Sequence, residues 1–359
     1  MIPDLNTTCQ LPDQPRPIII IGAGGIVRDA HLPAYGLAGF DVVGIFDLDQ
    51  DKAQALAGDF DIPVVFPSME AAVGGADENV VFDVAVPGGA VLGVVEGLPD
   101  GAAVLLQKPL GRRLSEARAI CAACHRKKLT AAVNFQLRYA PPFLALRDLL
   151  DSGRLGRVHD IQMQATILTP WNLWGFLETE ERVEILYHSI HYLDAIRALA
   201  GDPQGVYSRT VRFAEYERLA DVKSATILDY GDTLRAIVSV NHCHRGGLTH
   251  QESYLRVEGD RGIVHLTLGL CLDYPRGQPD RFDLCLFEEG AEPTWQSVPI
   301  EGTWFPHAFI GTMASVMRVA EDPARQLPTV VDDAVHTMAL VEAAYDSSAH
   351  GATPIPYEE

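Results

Sequence analysis

Residues 17–27 read Pro-Ile-Ile-Ile-Ile-Gly-Ala-Gly-Gly-Ile-Val, and the fold turns on how they are read. Four consecutive isoleucines, Ile18 to Ile21, leave no polar side for water. They predict a strand buried on both faces, as in a parallel sheet. The run stops at Gly22, where the chain can turn sharply. Gly22, Gly24, Gly25 and Ile26 then open a helix. Backbone N–H groups at a helix start, approached closely where Gly24 has no side chain, can hold a pyrophosphate. A tight turn without a ligand uses the same residues, and Val27 stands where the usual glycine fingerprint has its third glycine. The next strand, FDVVGIFDLD, favours the phosphate reading because it ends in Asp47, 25 residues after Gly22. A carboxylate there accepts hydrogen bonds from an adenosine ribose and repels a 2′-phosphate, which predicts NAD as the cofactor.

Outward from this stretch, strands and helices alternate as far as residue 137. QDKAQALAGDF and LSEARAICAACHRKKL have helical character, whereas VVFDVAVPGG, AAVLLQKPL and LTAAVNFQL are strands. That alternation predicts a parallel sheet wrapped by helices. After Arg138 one helix, PFLALRDLLDSG, leads into period-two runs such as VHDIQMQATI, TLRAIVSVNHCH, ESYLRVEG and GIVHLTLGL, which predict a mostly antiparallel sheet. The expected organisation is a flexible tail over 1–15, a first domain over 16–137 and a second over 138–359. The 359 residues carry 28 Lys plus Arg against 48 Asp plus Glu, a net charge of −20. Such a surface argues against nucleic acid and against anionic lipid. No run approaches the about 20 apolar residues of a membrane span, and the first residues lack the features of a signal peptide. A cytoplasmic protein with reduced thiols is the expectation.

Three segments beyond the glycine loop could carry chemistry. Gln107-Lys108-Pro109 follows the buried run Ala102 to Leu106, so Lys108 falls at the carboxyl edge of the sheet, where ligands of α/β folds bind; the alternative is a surface lysine ending a strand. A strand-end proline can hold a cis peptide. In EILYHSIHYLDAIRALAG, at about 100° per residue, Leu186, Ile190, Leu193 and Ala200 form an apolar stripe. The opposite face carries Glu184, Tyr187, His188, His191 and Asp194, with His191 near its centre and His188 towards its edge. This suits a polar cavity, although a solvated face with chance histidines has the same pattern. Glu184, His188 and His191 could also ligate a metal. The third segment, Trp171-Asn172-Leu173-Trp174, suits either a carbohydrate or nicotinamide face or core packing. His242, His244 and His307 read as structural. Cys121-Ala-Ala-Cys124-His125 matches a haem-attachment pattern, but it lies within an amphipathic helix, and both cysteines read as small buried hydrophobes.

The GAGGIVRDAHLP opening, the strand ending at Pro87, the Lys108-Pro109 pair, VNFQLRYAP and the His191-x-x-Asp194 helix together resemble the glucose–fructose oxidoreductase, inositol dehydrogenase and rhizopine-catabolism family. The resemblance runs over nearly the whole chain from about residue 16. It implies an N-terminal Rossmann doubly wound parallel sheet and a C-terminal α+β domain with an open, mostly antiparallel sheet. It implies an NAD-dependent dehydrogenase of a sugar or cyclic polyol, assembled as a homodimer or homotetramer. On this reading Gly22, Gly24, Gly25, Ile26, Asp47, Pro87, Gln107 and Lys108 contact the cofactor. Lys108, His191 and Tyr187 are catalytic, and His188, Trp171, Asn172 and Arg138 bind substrate, with no metal. Two positions depart from the family pattern: Gln107 replaces a Glu before the lysine, and Tyr187 replaces an Asp four residues before the histidine. A regulator that binds NAD or a sugar without turnover, or a metal-dependent lyase or hydrolase on the Glu184 helix face, are the alternatives.

Overall fold

In the computed structural model, which describes residues 4–77 and 79–353, the chain divides into two compact units. The first comprises Met1–Ser152 and Val298–Met338, the second Gly153–Ser297 and Ala339–Glu359.

The first unit contains five parallel strands, β1 (Ile18–Ile21), β2 (Val42–Phe46), β3 (Val81–Val84), β4 (Ala103–Leu106) and β5 (Thr130–Val133), in the order β2-β1-β3-β4-β5. The isoleucines of β1 are buried on both faces, as their run predicts. The order reverses between β1 and β3, so the crevice that binds ligands in such sheets opens at the carboxyl end of β1. The helices of this unit are α1 (Leu32–Ala38), α2 (Gln50–Asp59), α3 (Met69–Gly74), α4 (Val91–Gly97), α5 (Leu114–Arg126), α6 (Pro141–Asp151) and α8 (His307–Glu321). The start of a further helix, α9 (Val331–His350), also belongs here. The compact unit therefore extends past the domain boundary expected at residue 137. Helix α6 stays with the first unit, and α8 returns to it, where Phe309, Met313, Ala314, Val316 and Met317 join Ile18, Ile20 and Leu105 in one core.

Of the flexible tail expected over 1–15, the last residues are bonded to the first unit; residues 1–3 lie outside the described residues, as do residues 354–359 of the expected second domain. The Gln14 N–H donates to Glu321 at 2.7 Å, the Arg16 guanidinium to the Ala320 carbonyl at 2.6 Å, and Arg325 pairs with Asp13 at 3.4 Å. These bonds hold the segment against the end of α8.

The second unit is built on an eight-stranded sheet of β6 (Val158–Thr166), β7 (Gly205–Val211), β8 (Lys223–Asp229), β9 (Arg235–Asn241), β10 (Glu252–Gly259), β11 (Gly262–Thr267), β12 (Arg281–Leu286) and β13 (Gln296–Val298). The order is β13-β12-β11-β10-β6-β9-β8-β7. β6 and β9 run parallel, whereas β6–β10, β10–β11, β11–β12, β7–β8 and β8–β9 are antiparallel. Alternate residues of β8, β9, β10 and β11 are buried, and helix α7 (Ile190–Ala200) packs against β9. The other face is open, and there Tyr207 (65% exposed) sits opposite Ile227 (51% exposed). No helix of the described residues is long and apolar enough to cross a membrane.

Candidate active site

β1 ends on Gly22, which has a φ of +113°; a Cβ there would lie 2.4 Å from the Ala85 carbonyl oxygen, so only glycine fits. The Gly24 carbonyl accepts the N–H groups of Val27 at 3.0 Å and Arg28 at 3.3 Å and starts the helix. A Cβ on Gly24 would meet nothing within 4 Å, so the outer side of the loop is open. At the end of β2 the Asp47 carboxylate accepts the Ala23 N–H at 2.6 Å and the Asp49 N–H at 2.7 Å. It thereby fixes the glycine loop and keeps lone pairs for ribose hydroxyls, since a carboxylate offers about four acceptor sites. Open backbone at a helix start beside a strand-end acid is the donor and acceptor set that a dinucleotide requires, so the residues present fit NAD.

Lys108 follows β4, and its peptide bond to Pro109 is cis. The exits of β3 and β4 are packed together. A Cβ on Gly88, beside Pro87, would stand 3.2 Å from the Gly111 carbonyl and 3.4 Å from Pro109. The Lys108 side chain is half-buried, and burial pushes its ammonium group down to about 8.

Behind Lys108 lies a buried polar network that sequence reasoning missed. The residues after Ile26 form a wide π turn, Val27–His31, before α1. His31 at its end is fully buried, with Nδ1 2.6 Å from Asp83 Oδ2, and Tyr35 donates its hydroxyl to the same oxygen at 2.7 Å. The amides of Gln107 and Asn134 approach His31 Nε2 at 3.2 and 3.3 Å. The orientation of each amide follows from its other end. Gln107 Oε1 accepts the Lys108 N–H at 2.8 Å, and Asn134 Oδ1 accepts the Thr312 hydroxyl at 2.8 Å. Both therefore turn NH₂ groups towards Nε2, which assigns the imidazole proton to Nδ1, facing Asp83. Gln107, expected among the cofactor contacts, reaches His31 with one end of its amide and braces the Lys108 backbone with the other. The available signals were an aspartate inside the apolar run VVFDVAV and a histidine in the first turns of the opening helix.

In the second unit the expected helix from Glu184 is interrupted. Residues Ile185–Ser189 form a π turn that leads into α7. A π turn carries more residues per revolution than an α-turn, so the constant 100° spacing is not kept across Ile185–Ser189. Glu184 and Asp194 are buried. The Glu184 carboxylate accepts the Ser189 hydroxyl at 2.6 Å and lies 3.4 Å from His242 Nε2, while His242 Nδ1 is 2.6 Å from the Thr169 hydroxyl. Burial pushes the nearby Asp221 carboxyl up to about 6, and the Glu184 charge adds to the push; the Val183 N–H, donating to it at 2.8 Å, opposes the rise.

His188 packs at the edge of this group. Its ring centroid is 4.6 Å from that of His242, 5.0 Å from Trp171 and 6.2 Å from Trp174. Tyr187 is buried against Phe176 at 5.6 Å, and His191 is buried in the first turn of α7. Asn172 is exposed. Arg138, expected to bind substrate, has its guanidinium engaged by Asp333 at 2.6 Å and by the Pro328 carbonyl at 2.9 Å, both within the first unit. The Glu184, His188 and His191 metal set is not assembled: among the described residues the trio that gathers its ligand atoms within 4.8 Å is Cys121, His125 and Asp332.

Comparison with known proteins agrees with this architecture. Residues 17–135 match the family model described as an oxidoreductase family with an NAD-binding Rossmann fold, and residues 143–265 match the GFO/IDH/MocA C-terminal domain. A D-apiose dehydrogenase of Paraburkholderia graminis is 26% identical over 343 residues, 93% of this chain and 88% of that protein. An inositol 2-dehydrogenase/D-chiro-inositol 3-dehydrogenase of Lacticaseibacillus casei is 27% identical over 69% of this chain and 71% of its own length. The fold is shared with an oxidoreductase from Agrobacterium radiobacter solved with NAD⁺, L-tartaric acid and magnesium. Its TM-score is 0.78 at 21% identity, covering 94% of this chain and 98% of that one. With the dinucleotide cradle in the segment that matches the first domain and the mixed sheet beginning in the segment that matches the second, the chain belongs to the GFO/IDH/MocA family of NAD-binding oxidoreductases.

Proposed function

We propose that the protein interconverts a hydroxyl and a carbonyl on a sugar or cyclic polyol. The observation that carries the reading is Lys108, a half-buried lysine at the exit of β4, in the sheet whose first exit forms the dinucleotide cradle. Bound NAD supplies the two-electron acceptor for the hydride of the carbinol carbon. His191 takes the proton of the reacting hydroxyl at a ring nitrogen. Lys108 donates to the same oxygen and stabilises the alkoxide charge as it develops. Tyr187 donates to a substrate hydroxyl, and His188, Trp171 and Asn172 orient the rest of the ring. The names of the relatives support a polyol, since apiose and inositols are the substrates they state.

The test is a panel of sugars, inositols and sugar acids offered with NAD⁺ and followed at the nicotinamide absorbance. Turnover of at least one polyol is expected. The kcat/KM for NAD⁺ should exceed that for NADP⁺ by about tenfold or more, the effect of about 1.4 kcal/mol of repulsion at Asp47. Asp47→Ser should narrow that gap. NAD⁺ binding without turnover on any member of the panel would favour a regulator, and equal use of NADP⁺ would remove Asp47 from the cofactor site.

The protein is further expected to act in the cytoplasm as a homodimer or homotetramer. The open sheet face bearing Tyr207 and Ile227 supports association, because large apolar side chains paired at a surface mark contact sites. Light scattering at micromolar concentration should give a multiple of the chain mass; a monomer would count against it.

A further inference from the structure

Helix α5 and the start of α9 bring together three side chains that the oxidoreductase reading does not use. Cys121 and His125 are four residues apart on α5, so they stack on one helix face. Asp332 stands opposite them in the first turn of α9. The Cys121 Sγ lies 3.9 Å from His125 Nε2 and 3.6 Å from Asp332 Oδ1, and His125 Nε2 lies 3.0 Å from Asp332 Oδ2. Zinc bonds of about 2.3 Å to sulfur, about 2.05 Å to imidazole nitrogen and about 2.0 Å to carboxylate oxygen, arranged tetrahedrally, give ligand–ligand edges of about 3.5, 3.5 and 3.3 Å. The Cys121–His125 separation matches its edge to within a few tenths of an ångström, the two Asp332 distances run to its two different oxygens, and one ligand atom from each residue lies within 4.8 Å of the others.

We propose that Cys121, His125 and Asp332 form a binding site for a borderline divalent cation, zinc first, with a fourth position open to solvent. Thiolate, imidazole and carboxylate together suit zinc or cobalt and disfavour magnesium and calcium, which take oxygen ligands. The backbone that carries the ligands is already held. The Thr329 carbonyl accepts the Val133 N–H at 2.8 Å, and Val330 bridges to Ala132, so the approach to Asp332 is pinned to β5. The Leu129 N–H donates to the Cys124 carbonyl at 2.9 Å, which ties the end of α5 to the entry of the same strand. Access is retained, because the His125 and Asp332 side chains are 60% and 55% exposed while Cys121 is buried beneath them. A thiol must lose its proton to ligate the cation. Binding exchanges that proton for the metal, so affinity should rise with pH. The site would clip α5 to α9 within the first unit.

Co²⁺ titration of the full chain tests the assignment. One Co²⁺ per chain is expected, with a thiolate-to-cobalt charge-transfer band in the near ultraviolet and tetrahedral d–d bands in the visible, all displaced by one equivalent of Zn²⁺. Cys121→Ser should abolish the charge-transfer band, while Cys124→Ser should leave it. His125→Gln and Asp332→Asn alter exposed side chains and should keep the fold; each should weaken Zn²⁺ binding by about tenfold or more and reduce the zinc-induced rise in Tm. Absence of the charge-transfer band in the unaltered protein, its survival in Cys121→Ser, or zinc affinity unchanged in both exposed variants would each overturn the proposal.

Discussion

Lys108→Ala is expected to lower kcat by about 10²–10⁴-fold while NAD⁺ affinity changes only a few-fold. The loss falls on kcat because the alkoxide charge that the ammonium group stabilises develops only in the transition state. The pH dependence supplies an independent signature. With the amine pushed down to about 8, the charged form is lost as pH rises through that value, so kcat/KM should fall on its basic limb there. Stability should move the other way. Between about 8 and the ordinary 10.5, the unfolded chain still holds a proton that the folded chain has released, so this group makes the native state more stable as pH rises. A fall in rate across that window without a fall in Tm separates titration of Lys108 from unfolding. Near-normal turnover in Lys108→Ala would reduce the lysine to the end of a strand.

His191→Asn should remove most of kcat and flatten the acidic limb of the pH–rate profile, as loss of the general base requires. His188→Asn should chiefly raise KM. The two histidines differ in surroundings. His191 is buried in the first turn of α7, whereas His188 is half-buried among Trp171, Trp174 and His242, a setting suited to holding a sugar face. The reverse pattern of kinetic effects would make His188 the base. Full activity in both would move the proton transfer to Tyr187 or Lys108.

Much of the fold could be read from the residues because burial leaves a plain periodic trace. Ile18 to Ile21 could only be an interior strand, and the alternating runs from Val158 onward could only be half-buried ones. The turn at Gly22 and the acid at Asp47 were legible for the same reason: each depends on local backbone chemistry. What escaped depends on contacts far apart in sequence. Nothing in His31 itself announces Asp83, 52 residues on, or the amides of Gln107 and Asn134. The π turn before α7 escaped too, since Ile185 to Ser189 are ordinary helix residues. The ion pair of Arg138 with Asp333, 195 residues on, escaped for the same reason as the His31 contacts.

The return of α8 to the first unit sets an order on synthesis. The five α8 side chains in that core lie at 309–317, long after the last of its strands ends at Val133. At about 5–20 residues per second, the ribosome needs about 10–35 s to pass from residue 137 to the start of α8. Throughout that interval the nascent sheet carries an uncovered apolar face, with Ile18, Ile20 and Leu105 lacking part of their packing. A fragment cut at 137 would be left permanently in that condition, prone to aggregate through the surface α8 should cover. The nucleotide-binding sheet of this enzyme is therefore made before the second sheet but completed after it, and a chaperone that binds exposed apolar strands would find its substrate in that window.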